Sequence, residues 1–185
     1  MNYVANAGTL IVETLVGLYL YIVVLRFLMQ WIRADFRNPL GQFIITVTNP
    51  LILPLRAILP PIGAIDTASL VAALGVAFLK VWALLTLASY SVPIGSLLIF
   101  AVSELVRSGI HLFIAATLVT IIASWIASGS YHPVVWVAHQ IAEPLLAPAR
   151  RLIPPIGGLD LSPILVFLFL NLSLTLLVAP FSPFI

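Results

Sequence analysis

Of the 185 residues in the chain, 62% are hydrophobic and 8% charged, a mixture that a water-soluble domain could not keep in solution. Eight Lys and Arg against six Asp and Glu leave a formal net charge of +2, which does not point to nucleic acid. The absence of cysteine removes disulfides, thiolate metal sites and Cys nucleophiles together.

A membrane-spanning helix needs about 20 predominantly apolar residues, and the first such stretch is predicted at 7–29. Met1 to Gly8 carries no basic cluster ahead of it, so this stretch reads as a retained span and not as a cleaved signal. A loop at 30–66 follows, holding Arg33, Arg37 and Arg56. Within it Gln42, Thr46 and Asn49 recur at helical spacing while Phe43, Ile44, Ile45 and Val47 stay apolar, the pattern of a helix lying on the membrane. Asn49-Pro50 reads as the start of a second short helix, which carries Arg56 and ends at Pro60-Pro61. Gly63 can turn the chain, and Asp66-Thr67 supplies a cap for the second span, 67–89.

After the Tyr90 to Pro93 turn comes a third span at 97–127, then a loop at 128–160 and a fourth span at 162–180. In the second loop Gln140 and Glu143 occupy the places of Thr46 and Asn49, Glu143-Pro144 repeats the helix-start signal, and Asp160-Leu161-Ser162-Pro163 caps the last span. The correspondence is general. Shifting the chain by 94 positions lays Trp31-Ile32, Pro39, Pro50-Leu51, Pro54, Arg56, Pro60-Pro61-Ile62-Gly63 and Asp66 on Trp125-Ile126, Pro133, Pro144-Leu145, Pro148, Arg150, Pro154-Pro155-Ile156-Gly157 and Asp160 without a gap. The predicted fold is therefore an all-α membrane protein: four transmembrane helices as two helix–loop–helix repeats, 1–92 and 93–185, each with a proline-rich amphipathic interfacial segment.

Lys and Arg are absent from the connector Ser89 to Ser96 and from both termini, whereas both loops carry arginine. The positive-inside rule places the loops in the cytoplasm and the termini outside. Two spans per copy is an even number, so the copies insert the same way up, as parallel repeats.

Two sets of residues are candidate sites. In the loops, Arg56 and Asp66, with Arg150 and Asp160 as their counterparts, either close on each other and anchor the segment or form a docking or anion site; Arg151 exists only in the second copy. Inside the spans, Glu13, Lys80, Glu104 and Arg107 sum to zero. Counted at 1.5 Å per residue, Glu13, Lys80 and Arg107 lie about 21 to 29 Å above the loop side, with Glu104 somewhat higher. They form either a pairing cluster that holds the helices in register or a narrow polar path for ions or protons. His111 extends that face of the third helix. Thr117, Thr120 and Ser124 recur on the opposite face as helix glue or pore lining, and Asn171 is expected to bond across a helix pair. The three histidines are too dispersed for a metal, and no nucleophile elbow, P-loop or dinucleotide fingerprint is present, so neither an enzyme nor a cofactor is expected.

The loop motifs, from Asn49-Pro50-Leu51 to Asp66 and from Glu143-Pro144-Leu145 to Pro163, closely resemble those of the YggT family in its two-copy bacterial form, related to the single-copy YlmG-type proteins of Gram-positive bacteria and chloroplasts. The first copy departs from the fuller motif at Ala57, where the second has Arg151, and at Ala68-Ser69 in place of Ser162-Pro163. The resemblance implies a multi-pass protein of the bacterial inner membrane associated with osmotic-shock tolerance and potassium homeostasis, as a channel or transport accessory. Its YlmG side implies the alternative, a non-transporting scaffold in cell division or envelope organisation. The partners implied are the lipid bilayer and either other membrane proteins or further copies of the chain.

Overall fold

The computed structural model describes residues 3–126, 132–153 and 160–181; the expected Pro154-Pro155-Ile156-Gly157 turn lies outside them. Four helical rods are long and apolar enough to cross a membrane: Ala5–Trp31, Thr67–Leu87, Ile94–Ala123 and Ser162–Phe181. Between the members of each pair runs one further helix, and the described residues contain no strand beyond an isolated bridge between Ile62 and Ile65.

The first rod starts as α1 (Tyr3–Ile11), loosens into a π-helical turn at Val12–Val16, and continues as α2 (Gly17–Trp31). It stops in a left-handed cap. Arg33, at φ 55°, donates its N–H to the Gln30 carbonyl at 3.1 Å, and Ala34 donates to the Met29 carbonyl at 2.8 Å, the paired bonds by which a helix end satisfies its last carbonyls.

The interfacial helix α3 (Pro39–Arg56) begins at Asn38, whose side chain accepts from the Gly41 N–H at 2.8 Å, with Pro39 at a position that needs no donor. Gly41, Ile44, Thr48 and Ile52 are buried, a stripe at intervals of three and four residues. The predicted restart at Asn49-Pro50 does not occur. A single helix runs through Pro50 and Pro54, as its counterpart α6 (Pro133–Leu152) runs through Pro144 and Pro148. Each internal proline removes one donor to the carbonyl four residues back. Packing of the buried stripe compensates, together with a side-chain clasp on α3 described below.

The remaining spans are α4 (Thr67–Leu87), α5 (Ile94–Ile126) and α7 (Ser162–Ser173), the last extended by a π-turn at Leu174–Val178 and a 3₁₀ turn at Ala179–Phe181. Ala68, Ala72, Ala73 and Ala77 of α4 are buried against Leu20, Val23 and Val24 of α2. Small residues permit this close approach, and where lipid is as apolar as leucine the gain is van der Waals contact. A second core joins Met29 and Ile44 of the first repeat to Val137, Ile141, Leu146, Val166 and Leu170 of the second. The long α5 packs against α2, α4, α6 and α7, so the repeats interlock. Leu18, Leu79, Trp82, Ile99, Leu168, Phe169 and Leu172 face outward, as lipid-facing side chains should.

One glycine is fixed by close approach. A Cβ at Gly41 would stand 2.6 Å from the Phe36 Cα and 2.7 Å from its carbonyl oxygen, and both are backbone atoms that cannot swing aside. Gly41→Ala should lower stability by about 1–3 kcal/mol, read from SDS-induced unfolding in detergent micelles, whereas the same change at Gly75, which has open space around it, should not lower it.

Candidate functional site

Three of the four intramembrane charges meet. The Glu104 carboxylate, 6% exposed, takes Lys80 Nζ from α4 on one oxygen and Arg107 of its own helix on the other, with Nη2 at 2.5 Å and Nε at 3.0 Å. One acid thus joins a span of the first repeat to a span of the second. The Lys80 ammonium lies over Gly17 of α2, where a Cβ would stand 3.5 Å away. One turn along α5 from Arg107, His111 Nδ1 lies 2.8 Å from the Tyr21 hydroxyl of α2, so polar contacts cross the repeat boundary twice.

Glu13 does not join this group. It sits exposed in the π-turn of the first rod and makes no ion pair among the described residues. The wider turn adds a residue per hydrogen bond and so rotates side chains about the helix axis, which a count of depth does not register.

A fifth intramembrane charge is Arg26, which the inventory of Glu13, Lys80, Glu104 and Arg107 omits although it lies inside the first predicted span. It is 3% exposed. Its Nη1 reaches Thr48 Oγ1 at 2.5 Å, Asn49 Oδ1 at 2.9 Å and the Ile45 carbonyl at 3.4 Å. These acceptors surround the turn of α3 in which Pro50 lacks its donor, so the guanidinium clasps the interfacial helix to the first span. The available signal was the run Thr48-Asn49 before Pro50, read only as a helix start.

In each loop the arginine lies against the aspartate. Arg56 Nη2 meets Asp66 Oδ2 at 2.7 Å and its Nε lies 3.4 Å from Oδ1. Ser69 also donates to Asp66, and its Oγ lies 3.0 Å from the Gln30 side-chain amide. In the second copy Arg150 Nε meets Asp160 at 3.0 Å, while its Nη1 takes both oxygens of Glu143 at 3.0 Å. Arg151 is exposed. Burial pushes the Asp66 carboxyl up, but hydrogen bonds from Arg56 and Ser69 and the charges of Arg56 and Arg26 outweigh it and hold the group below its ordinary value. Asp160 is likewise raised by burial and lowered further by Ser162 and Arg150. The Asp160 bond, with Glu143 assisting against partial burial, raises Arg150.

Thr117 and Thr120 turn back on their own helix: Thr117 donates to the Phe113 carbonyl, and Thr120 lies within reach of the Ala116 and Thr117 carbonyls; the Ser124 side chain is outside the described residues, and Ser103 of the same helix donates instead to the Val178 carbonyl at 3.2 Å. Asn171 does the same, donating to the Phe167 carbonyl at 2.8 Å from an exposed position. The expected bond across a helix pair is not made. Among the described residues no group of three His, Asp or Glu could hold a metal.

The family model described as CCB3/YggT matches residues 5–87 and again 99–181, and the chain belongs to that family. An uncharacterized protein of Pseudomonas aeruginosa is 46% identical over 90% of this chain and 86% of its own length. The uncharacterized protein YggT of Escherichia coli K12 is 40% identical over 89% of this chain and 86% of its own, and an uncharacterized protein of Vibrio alginolyticus is 39% identical over 91% of each. No solved structure matches.

Two predictions come from this geometry. Glu104→Gln leaves Lys80 and Arg107 without their shared acid and should cost about 3 kcal/mol, measured by unfolding in detergent; Lys80→Met should cost less in the Glu104→Gln background than in the wild type. The loop pairs give a pH signature. Asp66 and Asp160 titrate below their ordinary value of 3.8 in the folded chain, so the stability they contribute is fully present above that value and lost as the pH falls through the lowered ones. A chain carrying Asp66→Asn and Asp160→Asn should melt lower than the wild type at pH 7, and the two melting temperatures should converge on acidification below about pH 4.

Proposed function

We propose that this CCB3/YggT protein resides in the bacterial inner membrane, loops cytoplasmic and termini periplasmic, and serves osmotic-shock tolerance and potassium homeostasis as a transport accessory and not as an open pore. The observation that carries the accessory role is the Glu104 carboxylate, which is claimed by two cations between packed helices. A conducting path needs polar groups left free for the ion to visit, whereas this acid is engaged on both oxygens. The orientation rests on the loops carrying Arg33, Arg37, Arg56, Arg150 and Arg151 while the connector Ser89 to Ser96 carries no Lys or Arg.

A second reading, a non-transporting scaffold in cell division or envelope organisation, draws on a different observation. The interfacial helices α3 and α6 touch each other, so the two loops form one joined platform on a single side of the bundle.

Proteoliposomes holding the purified chain should pass no potassium above protein-free vesicles, and a bacterium lacking its own copy should recover survival after osmotic shock with the wild type but not with Lys80→Met at equal membrane abundance. A potassium flux would replace the accessory by a channel. Full rescue by Lys80→Met would remove the homeostasis reading. Loss of protein crosslinks in Arg56→Gln/Arg150→Gln with shock survival intact would favour the scaffold.

A further inference from the structure

The formal charge of the chain is unevenly divided between its two copies. Residues 26–66 hold four arginines against two aspartates, whereas the equivalent residues 120–160 hold two arginines against one Glu and one Asp. The net +2 of the whole protein therefore resides in residues 26–66, where Arg26 belongs to the first span and Arg33, Arg37 and Arg56 to the loop that follows it. At the register positions of Arg26, Arg33 and Arg37 the second copy has Thr120, Ala127 and Tyr131.

Two of these arginines, Arg33 and Arg56, border a cavity of about 570 Å³ between the end of α2 and the loop leading into α4, with Gln30, Phe36, Gly63 and Asp66 also in its wall. The volume suits a small organic ligand. Asp66, the acid in this wall, is already bound by Arg56 and Ser69. Arg56 spends its Nε and Nη2 on that carboxylate, and Nη1 has no partner among the described residues. Arg33 is exposed and forms no ion pair among them.

Arg33 is also held where arginine is a poor choice. It occupies the left-handed position of the α2 cap, φ 55°, a place that glycine fills without steric cost. A backbone outlier at a cavity rim is a reason to look for a role for its side chain. The cavity opens between Trp31, where one span ends, and Thr67, where the next begins, which is the depth of lipid headgroups.

We propose that this first-repeat cavity binds a phosphate-bearing anion between Arg33 and Arg56; the second repeat has Ala127 at the position of Arg33. Guanidinium groups present planar pairs of donors that match phosphate oxygens. The depth favours the phosphate of an anionic lipid, and free phosphate is the other source of the same chemistry. The inference is independent of the role in ion homeostasis, since a headgroup site could serve either an accessory or a scaffold.

The test measures lipid retention by native mass spectrometry of the intact chain in detergent, with phosphatidylglycerol and phosphatidylcholine in equal amounts and inorganic phosphate added in a second arm. Wild type should keep phosphatidylglycerol in preference. Arg33→Gly, which relieves the left-handed backbone, should melt no lower yet bind about tenfold more weakly, the size expected for losing a charge-assisted hydrogen-bonded pair. Arg33→Asn, another residue that tolerates the conformation, should behave the same way, Arg33→Lys should keep most of the binding, and Arg151→Gln in the second copy should leave it unchanged. Displacement of the lipid only by other anionic lipids identifies a headgroup site; phosphate-31 line broadening by wild type but not Arg33→Gly in lipid-free detergent identifies free phosphate. Equal retention of both lipids by wild type with no phosphate broadening, or unaltered binding in both Arg33→Gly and Arg33→Asn, overturns the proposal.

Discussion

Hydrocarbon offers no partner to a charge or to a free backbone donor, so each one placed inside a span has to be answered by the protein itself. Glu104 is where that constraint binds hardest. With Lys80 on one side and Arg107 on the other, it is satisfied only if α4 of the first repeat and α5 of the second stand beside each other at a set depth. The Tyr21–His111 contact fixes α2 against α5 at a neighbouring level. Arg26 repeats the same logic near the interface, where its acceptors come from an amphipathic helix and not from another span. The spans are apolar enough to enter a membrane singly, and these few polar contacts specify which helix meets which.

The duplication has been retained in outline and rewritten in chemistry. At matching positions, Asn49 receives Arg26 from the first span, while Glu143 receives Arg150 from within its own helix. Both copies tie the interfacial helix to the loop that follows, through Arg56–Asp66 and Arg150–Asp160, and the first alone adds a cation from the membrane. Gly41, needed for the Phe36 backbone to pass closely, is matched by Val135, and the Asn38 cap by His132, which makes no side-chain cap bond. Such divergence leaves a net positive charge on one copy only and gives the two ends of the joined α3 and α6 platform different chemical character.

Much of this was legible in the chain. The four spans follow from apolar length and the repeat from the recurrence of Pro, Arg, Gly and Asp, while the Arg56–Asp66 and Arg150–Asp160 contacts are one of the two arrangements that those charges, ten residues apart, leave open. What was not legible depended on tertiary packing. Pro50 and Pro144 are local signals for a break, and the helices run through them because a buried stripe is supported from outside, a fact that no window of sequence contains. Arg26 hides among Leu and Val in a span whose hydropathy it scarcely lowers. Glu13 is grouped with the other charges by depth alone, which does not say which way a side chain faces, and Asn171 finds its acceptor one turn back in its own helix.

The central claim is that both repeats thread the lipid in one direction, with α3 and α6 resting together on one surface and the Glu104 cluster towards the other. The chain lacks cysteine, so single cysteines at Ile58 and Leu152, both exposed and close in sequence to Arg56 and Arg150, and at Tyr90, exposed in the connector, can be labelled one at a time with a membrane-impermeant maleimide in sealed vesicles of known sidedness. The account predicts that Ile58→Cys and Leu152→Cys react from the same face and Tyr90→Cys from the opposite one. Labelling of Ile58→Cys and Leu152→Cys from opposite faces would contradict it.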